Sequence, residues 1–217
     1  MTRRRQVIAF YDRFGSAQDR QGWYEDPALE RLIALGRFEQ ARSLCEFGCG
    51  TGRLAARLLG SVLPADATYL GVDASATMAA LATERLQRWA PRARVAHSDG
   101  SLRVPGEIAA WERFLCTYVL DLLPEDDILA LLEEAARVLA PRGLLCVAGL
   151  THGRGAVAGA VSRLWGLAHA LNWRLVGGCR PLNLAPLLPP HRWRVLHDEA
   201  VAAWGITSQV LVAERVG

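Results

Sequence analysis

A chain of 217 residues, 51% hydrophobic and 22% charged, is long enough to bury one sizeable core and too apolar for extended disorder. Its formal net charge of +3 argues against a dominant polyanion-binding face, and all 25 basic residues are arginine, so no lysine can serve as Schiff-base nucleophile or tunable amine base. Five scattered cysteines, Cys45, Cys49, Cys116, Cys146 and Cys179, lack C-x2-C spacing, which argues against zinc or any other metal site and for a reducing, cytoplasmic setting.

At the start, Met1–Arg5 is basic, but Asp12, Arg13, Asp19 and Arg20 interrupt before any apolar signal core. Residues 6–43 read as helical, with polar turns near Gly15-Ser16 and Asp26-Pro27; Pro27 suits the first turn of a helix running to about Phe38. From Ser43 strands and helices alternate: strand Leu44–Phe47, a Gly-rich turn, helix from Arg53, strand Thr68–Val72 ending at Asp73. A helix over Ser75–Trp89 follows, with Ser75 as N-cap and Met78, Leu81, Ala82 and Leu86 at helical spacing. Strands at Arg94–His97 and Arg113–Val119 come next, then a helix from Pro124 to Leu139 with Glu125, Asp126 and Asp127 in its first turn. Pro141-Arg142-Gly143 is expected to stop it.

The run Leu144–Leu150 is wholly apolar, as a buried parallel strand should be. A helix is expected near Ala156–Leu171; Arg154, Arg163, His152 and His169 make a membrane span there untenable. After the Pro-rich stretch Pro181–Pro190, strands at Trp193–Asp198 and Ser208–Glu214 can pair through the Gly205 region. The pattern predicts a doubly wound, Rossmann-like α/β fold. It has a mostly parallel seven-stranded sheet with an antiparallel last strand, an N-terminal helical cap over residues 1–42 and a single core over 43–217.

Chemistry concentrates at strand ends. Gly48, Gly50 and Gly52 alternate between the first strand and its helix, where a missing Cβ lets backbone approach a ligand and helix N–H groups point at it. Dinucleotide sites usually carry G-x-G-x-x-G, so G-x-G-x-G disfavours a nicotinamide-dependent oxidoreductase. Asp73, ending the second strand, can accept hydrogen bonds from ribose hydroxyls or cap the next helix. Asp99-Gly100 is either a ligand contact or a turn. His152, after the fifth strand, is a candidate base with an ordinary pKa of about 6.5, or part of a polar turn. Trp165, Trp173, Trp193 and Trp204 form no regular aromatic-basic array for stacking nucleic acid.

The run CEFGCGTGR resembles the first motif of the class I S-adenosylmethionine (SAM)-dependent methyltransferases, especially small-molecule types similar to those of ubiquinone and menaquinone biosynthesis. The resemblance covers roughly residues 6–150. It implies SAM as cofactor, the glycine backbone lying against its methionine part, and Glu46 helping to receive the amino group. Gly71-Val72-Asp73-Ala74-Ser75 through Met78 resembles the second motif, which implies Asp73 at the ribose and Ala74, Ser75 and Met78 near the adenine. Asp99 matches the family's adenine contact, beside Gly100, and Thr117 its small polar residue at the end of the fourth strand. Phe10-Tyr11-Asp12 resembles a lid segment, implying Tyr11 near the sulfonium; the polar lead-in Gln18–Pro27, with Trp23 and Tyr24, is expected to line an acceptor pocket.

Asp121 departs from the commoner His-like residue at its position, and with Tyr11 and His152 completes the candidate catalytic set. There is no N-P-P-Y or D-P-P-Y for nucleobase amino methylation, and no Pro-Cys pair to serve as a cytosine nucleophile. The expected activity is methyl transfer to a small molecule at O, N, S or C. A non-catalytic SAM-binding partner or sensor, or an RNA or protein methyltransferase, are the alternatives.

Overall fold

The computed structural model describes residues 3–153, 159, 161, 164, 165, 167, 171 and 178–216. Helix α1 (Arg3–Phe14) passes through a 3₁₀ segment (Gly15–Gln21) into α2 (Gly22–Leu35). The alternating part follows: β1 (Ser43–Phe47), α3 (Arg53–Ser61), β2 (Thr68–Asp73), α4 (Ala76–Leu86), β3 (Ala93–His97) and β4 (Trp111–Thr117). Helix α5 (Glu125–Val138), β5 (Leu139–Leu150), β6 (Trp193–Ala203) and β7 (Ile206–Arg215) complete it.

The seven strands form one sheet in the order β3-β2-β1-β4-β5-β7-β6. The first five pair in parallel, whereas β7 runs antiparallel to both β5 and β6. This is the doubly wound, mostly parallel fold that the sequence predicts. Because β1 lies between β2 and β4, the strand order reverses beside it, and such a switch point opens a crevice beyond the strand ends.

Side-chain alternation explains the two-sided core. Leu44 of β1, Cys146 and Ala148 of β5 and Val210 and Val212 of β7 pack with α2 and α3 on one face. Their neighbours Cys45, Leu145, Val147, Leu211 and Ala213 pack with α5 on the other. Burying both faces requires the apolar run seen in β5, whose residues Leu144–Leu150 are all buried.

The lead-in to β1 divides between two jobs. Ala28, Leu29 and Leu32 of α2 belong to the sheet's core, whereas α1 packs against α4 near the strand ends. The Asp26-Pro27 turn does not form: the 3₁₀ segment runs straight into α2, and Pro27 sits inside that helix. A proline there forfeits one hydrogen bond to the preceding turn but fits helical φ. The acidic pair before it gains an ion pair instead, Arg53 Nη1 to Asp26 Oδ1 at 2.6 Å.

Pro141-Arg142-Gly143 likewise is not the stop for α5, which ends at Val138 with the chain already extended at Leu139. The three residues form an irregularity within β5: pairing with β4 jumps from Trp111–Leu139 to Arg113–Leu144, and Arg142 adopts φ +63°. Strand β4 ends at Thr117, two residues earlier than its apolar run suggests, because Tyr118 turns left-handed at φ +54°. Of the helix expected near 156–171, the described residues 159, 161, 164, 165, 167 and 171 are helical.

Candidate functional site

The carboxyl ends of β1, β2 and β4 meet around a cavity at the switch point. Gly48, Gly50 and Gly52 turn the chain with φ of +74°, +54° and +75°. Close approach fixes Gly48 as well: a Cβ there would lie 2.2 Å from Val119 Cγ2. The turn bonds to itself and to β2. Gly48 N and Cys49 N donate to Val72 O at 2.7 and 3.2 Å, and Gly52 N to Cys49 O at 3.0 Å.

Asp73 ties this loop to α4. Its Oδ2 accepts from Gly50 N at 2.8 Å and its Oδ1 from Ser75 N at 2.9 Å. Each oxygen keeps acceptor capacity for a ligand hydroxyl. Burial raises the Asp73 carboxyl above its ordinary range, against those two backbone donors. Ser75 then caps α4, accepting from Met78 N at 3.2 Å, and donates to Asp12 Oδ1 of α1 at 2.6 Å.

Helix α1 thereby covers the crevice. Val7, Ile8 and Tyr11, on one helical face, close it from above, while Arg4 at the rim donates to Gly100 O at 3.0 Å and pairs with Asp127 at 2.5 Å. About 870 Å³ of empty space lies beneath, its open mouth and adjoining solvent included.

Of the residues singled out in the sequence, Tyr11, Gly48, Gly50, Asp73, Ala74, Met78, Gly100 and Thr117 line this cavity together. Five lie elsewhere. Glu46 is buried behind the loop, where Tyr69 donates its hydroxyl to Oε2 at 2.6 Å, and burial pushes its carboxyl up to about 8. Gly52 starts α3 and packs against Ala82 of α4.

Asp99 is exposed on the rim, its carboxyl lowered by the Ser101 backbone N–H that it accepts at 2.9 Å. The cavity wall beside it is formed by Ser98, Gly100, Ser101 and Leu102. His152 is exposed beyond the end of β5 and does not line the cavity.

Asp121 is buried next to the cavity, where Oδ2 accepts from Leu150 N at 3.2 Å and Oδ1 has no partner among the described residues. It belongs to a cluster of titratable groups beneath Tyr11. Burial brings the Asp121 carboxyl up to about 6 and that of Glu25 to about 7, although Arg53 lies 3.4 Å from Glu25. Burial also drives the phenols of Tyr11, Tyr24 and Tyr118 and the thiol of Cys179 well above their ordinary ranges. Tyr118, left-handed at the end of β4, meets Ser208 Oγ of β7 at 2.9 Å. Trp23 is half exposed, and Tyr24 packs edge-on against Tyr118 rather than lining the cavity.

Sequence reading missed Ile8, Ser98, Leu102 and Val119, and put Gln18 only in a broad polar lead-in. Helical spacing with Tyr11 could have found Ile8; the others depend on where loops fold back, which no local pattern encodes. Among the described residues, no group of three or more His, Cys, Asp and Glu is placed to hold a metal, and no helix is long and apolar enough to cross a membrane.

Residues 44–143 match the family described as a methyltransferase domain. A carboxy-S-adenosyl-L-methionine synthase of Chromohalobacter salexigens is 31% identical over 114 residues, covering 52% of this chain and 42% of that protein. The chain therefore spans less than half the length of this curated relative.

Among solved structures, an O-methyltransferase family protein from Burkholderia thailandensis superposes with a TM-score of 0.73 at 18% identity, over 95% of this chain and 60% of that one. The N-methyltransferase NodS from Bradyrhizobium japonicum, in complex with S-adenosyl-L-homocysteine, gives 0.65 at 14% identity, over 88% and 87%. At such identities these neighbours establish the fold alone. The match over residues 44–143, the strand order and the glycine turn at the switch point are thus alike in pointing to the methyltransferase fold.

Proposed function

We propose that the protein binds SAM in the cavity beneath α1 and transfers its methyl group to a small-molecule acceptor. The observation that carries this reading is the cover that Val7, Ile8 and Tyr11 place over the switch-point cavity, as over a small-ligand site. The residues present fit SAM in three respects. The Gly48 turn leaves backbone where a Cβ would collide, Asp73 retains acceptor capacity for ribose hydroxyls, and Met78 and Leu102 give apolar walls for a base.

Bound SAM supplies a methyl group already activated on a positively charged sulfur. The chain's own task is then to orient and to exclude water. Helix α1 does the excluding. Tyr11, with its phenol held protonated by burial, acts as a hydrogen-bond donor at the reacting end and not as a base. Where the acceptor must lose a proton, Asp121 and Glu25 are the groups below it that titrate near neutrality, at about 6 and about 7. His152 stands outside this enclosure and is assigned no step. The helices over 1–42 serve as a partial lid, in which α1 and the 3₁₀ segment cover the site while α2 belongs to the core.

The test is to incubate the protein with methyl-labelled SAM and a metabolite extract. Label appearing in a small molecule, with S-adenosylhomocysteine accumulating in step, is the expected result. A second reading is favoured by the curated relative, which is named for making a carboxylated SAM. It would show as a heavier SAM derivative with no S-adenosylhomocysteine released. SAM bound but unchanged with every acceptor would indicate a sensor.

A further inference from the structure

Glu46, whose position resembles that of the family's acidic residue for the amino group, faces Tyr69 and does not line the cavity. Burial raises its carboxyl to about 8, which disfavours the charged form that an ammonium group would meet. The N–H groups of the glycine turn are donors and cannot receive an ammonium, and two of its carbonyls, Cys49 O and Gly52 O, already accept from Gly52 N and Ala56 N. An ammonium group, with three donors, has use for an acceptor side chain beside the turn.

Gln18 is placed to be that acceptor. Its side chain lines the cavity against the turn: a Cβ on Gly50 would lie 2.9 Å from Gln18 Oε1 and 3.3 Å from Nε2. The amide oxygen is buried and has no hydrogen-bond partner among the described residues. An unmet buried acceptor is unfavourable in isolation and becomes favourable once a donor arrives, most of all a charged one.

The position is held by neighbours. Asp19 accepts from Thr51 Oγ1 at 2.6 Å and pairs with Arg85 at 2.7 Å, while Arg85 also donates to Thr51 Oγ1 at 2.8 Å. This triad clamps the 3₁₀ segment Gly15–Gln21 to the loop, so Gln18 needs no bond of its own to stay in place.

We propose that Gln18 receives the α-ammonium group of the methionine moiety of SAM and so makes the site selective for adenosyl ligands that carry an amino-acid tail. The proposal rests on the SAM-binding reading above. Calorimetric titration of wild type, Gln18→Ala and Gln18→Glu with S-adenosylhomocysteine and with methylthioadenosine, which lacks the tail, tests it. Gln18→Ala should weaken S-adenosylhomocysteine binding by about 10- to 100-fold, the range for a hydrogen bond to a charged group. Methylthioadenosine should change less than about twofold, which also shows that the variant is folded. Gln18→Glu, which keeps an acceptor, should restore most of the affinity.

Wild-type affinity in Gln18→Ala, or an equal loss for both ligands, would overturn the role of Gln18 while leaving SAM binding intact. If the wild type binds neither ligand, the SAM-binding reading falls and this proposal falls with it.

Discussion

Gly48 combines two independent constraints, a left-handed backbone and a side chain in the way. At φ +74° an L-residue costs about 1–2 kcal/mol, and a methyl group 2.2 Å from Val119 Cγ2 adds a packing penalty of about 1–3 kcal/mol. Gly48→Ala should therefore lose about 2–5 kcal/mol and, at about 2–4 °C per kcal/mol for a chain of this size, lower the Tm by at least about 4 °C. Differential scanning fluorimetry checks this, and an unchanged Tm would mean that the turn relaxes freely.

Glu46 gives the fold a pH dependence. Burial raises its carboxyl to about 8, Glu25's to about 7 and Asp121's to about 6, whereas unfolded carboxyls titrate near 4. The folded chain holds these protons longer than the unfolded chain does. Their stabilisation is complete below about pH 4 and is lost as pH rises through each folded value. The Tm should fall between about pH 5 and 8, and Glu46→Gln, which mimics the neutral acid, should flatten that slope. A Tm rising across this range would refute the assignment.

At the scale of elements, the cover over the site depends on a few side-chain bonds between α1 and the body of the protein. Asp12 accepts from Ser75 Oγ at 2.6 Å at the start of α4, and Arg4 reaches Gly100 O and Asp127 at the rim. Asp12→Ala should speed amide hydrogen exchange in α1 while leaving β1 and β4 protected; equal loosening of the sheet would show that α1 is integral to the core.

Most elements were legible because their signals are local. Leu144–Leu150 is apolar throughout, Ser75 carries an N-cap signature, and Glu125–Asp127 marks a helix start. The failures are equally specific. Pro27 reads as a helix start only if the preceding 3₁₀ segment is ignored, and Pro141-Arg142-Gly143 reads as a stop because its bulge is defined by pairing with β4, not by its own sequence.

For the whole molecule, strand order converts scattered residues into one site. The carboxyl ends of β1, β2 and β4 bring Gly48, Asp73 and Thr117 together because those strands are adjacent, and the alternating pattern was enough to anticipate this. It was not enough to place Glu46, Asp99 or Asp121, whose positions near the right strand ends say nothing of which way each carboxylate turns. Glu46 faces Tyr69, Asp99 faces its own turn, and Asp121 faces Leu150. Nor could sequence place Gln18, brought to the loop by a clamp between residues 32 and 66 positions apart.

Whether SAM binds beneath α1 is decided by a crystal structure with S-adenosylhomocysteine. The ribose should lie at Asp73, the base between Met78 and Leu102, and the amino-acid end at Gln18 beside Gly50. Density for the ligand outside this cavity, or no binding at saturating concentration, would contradict the account.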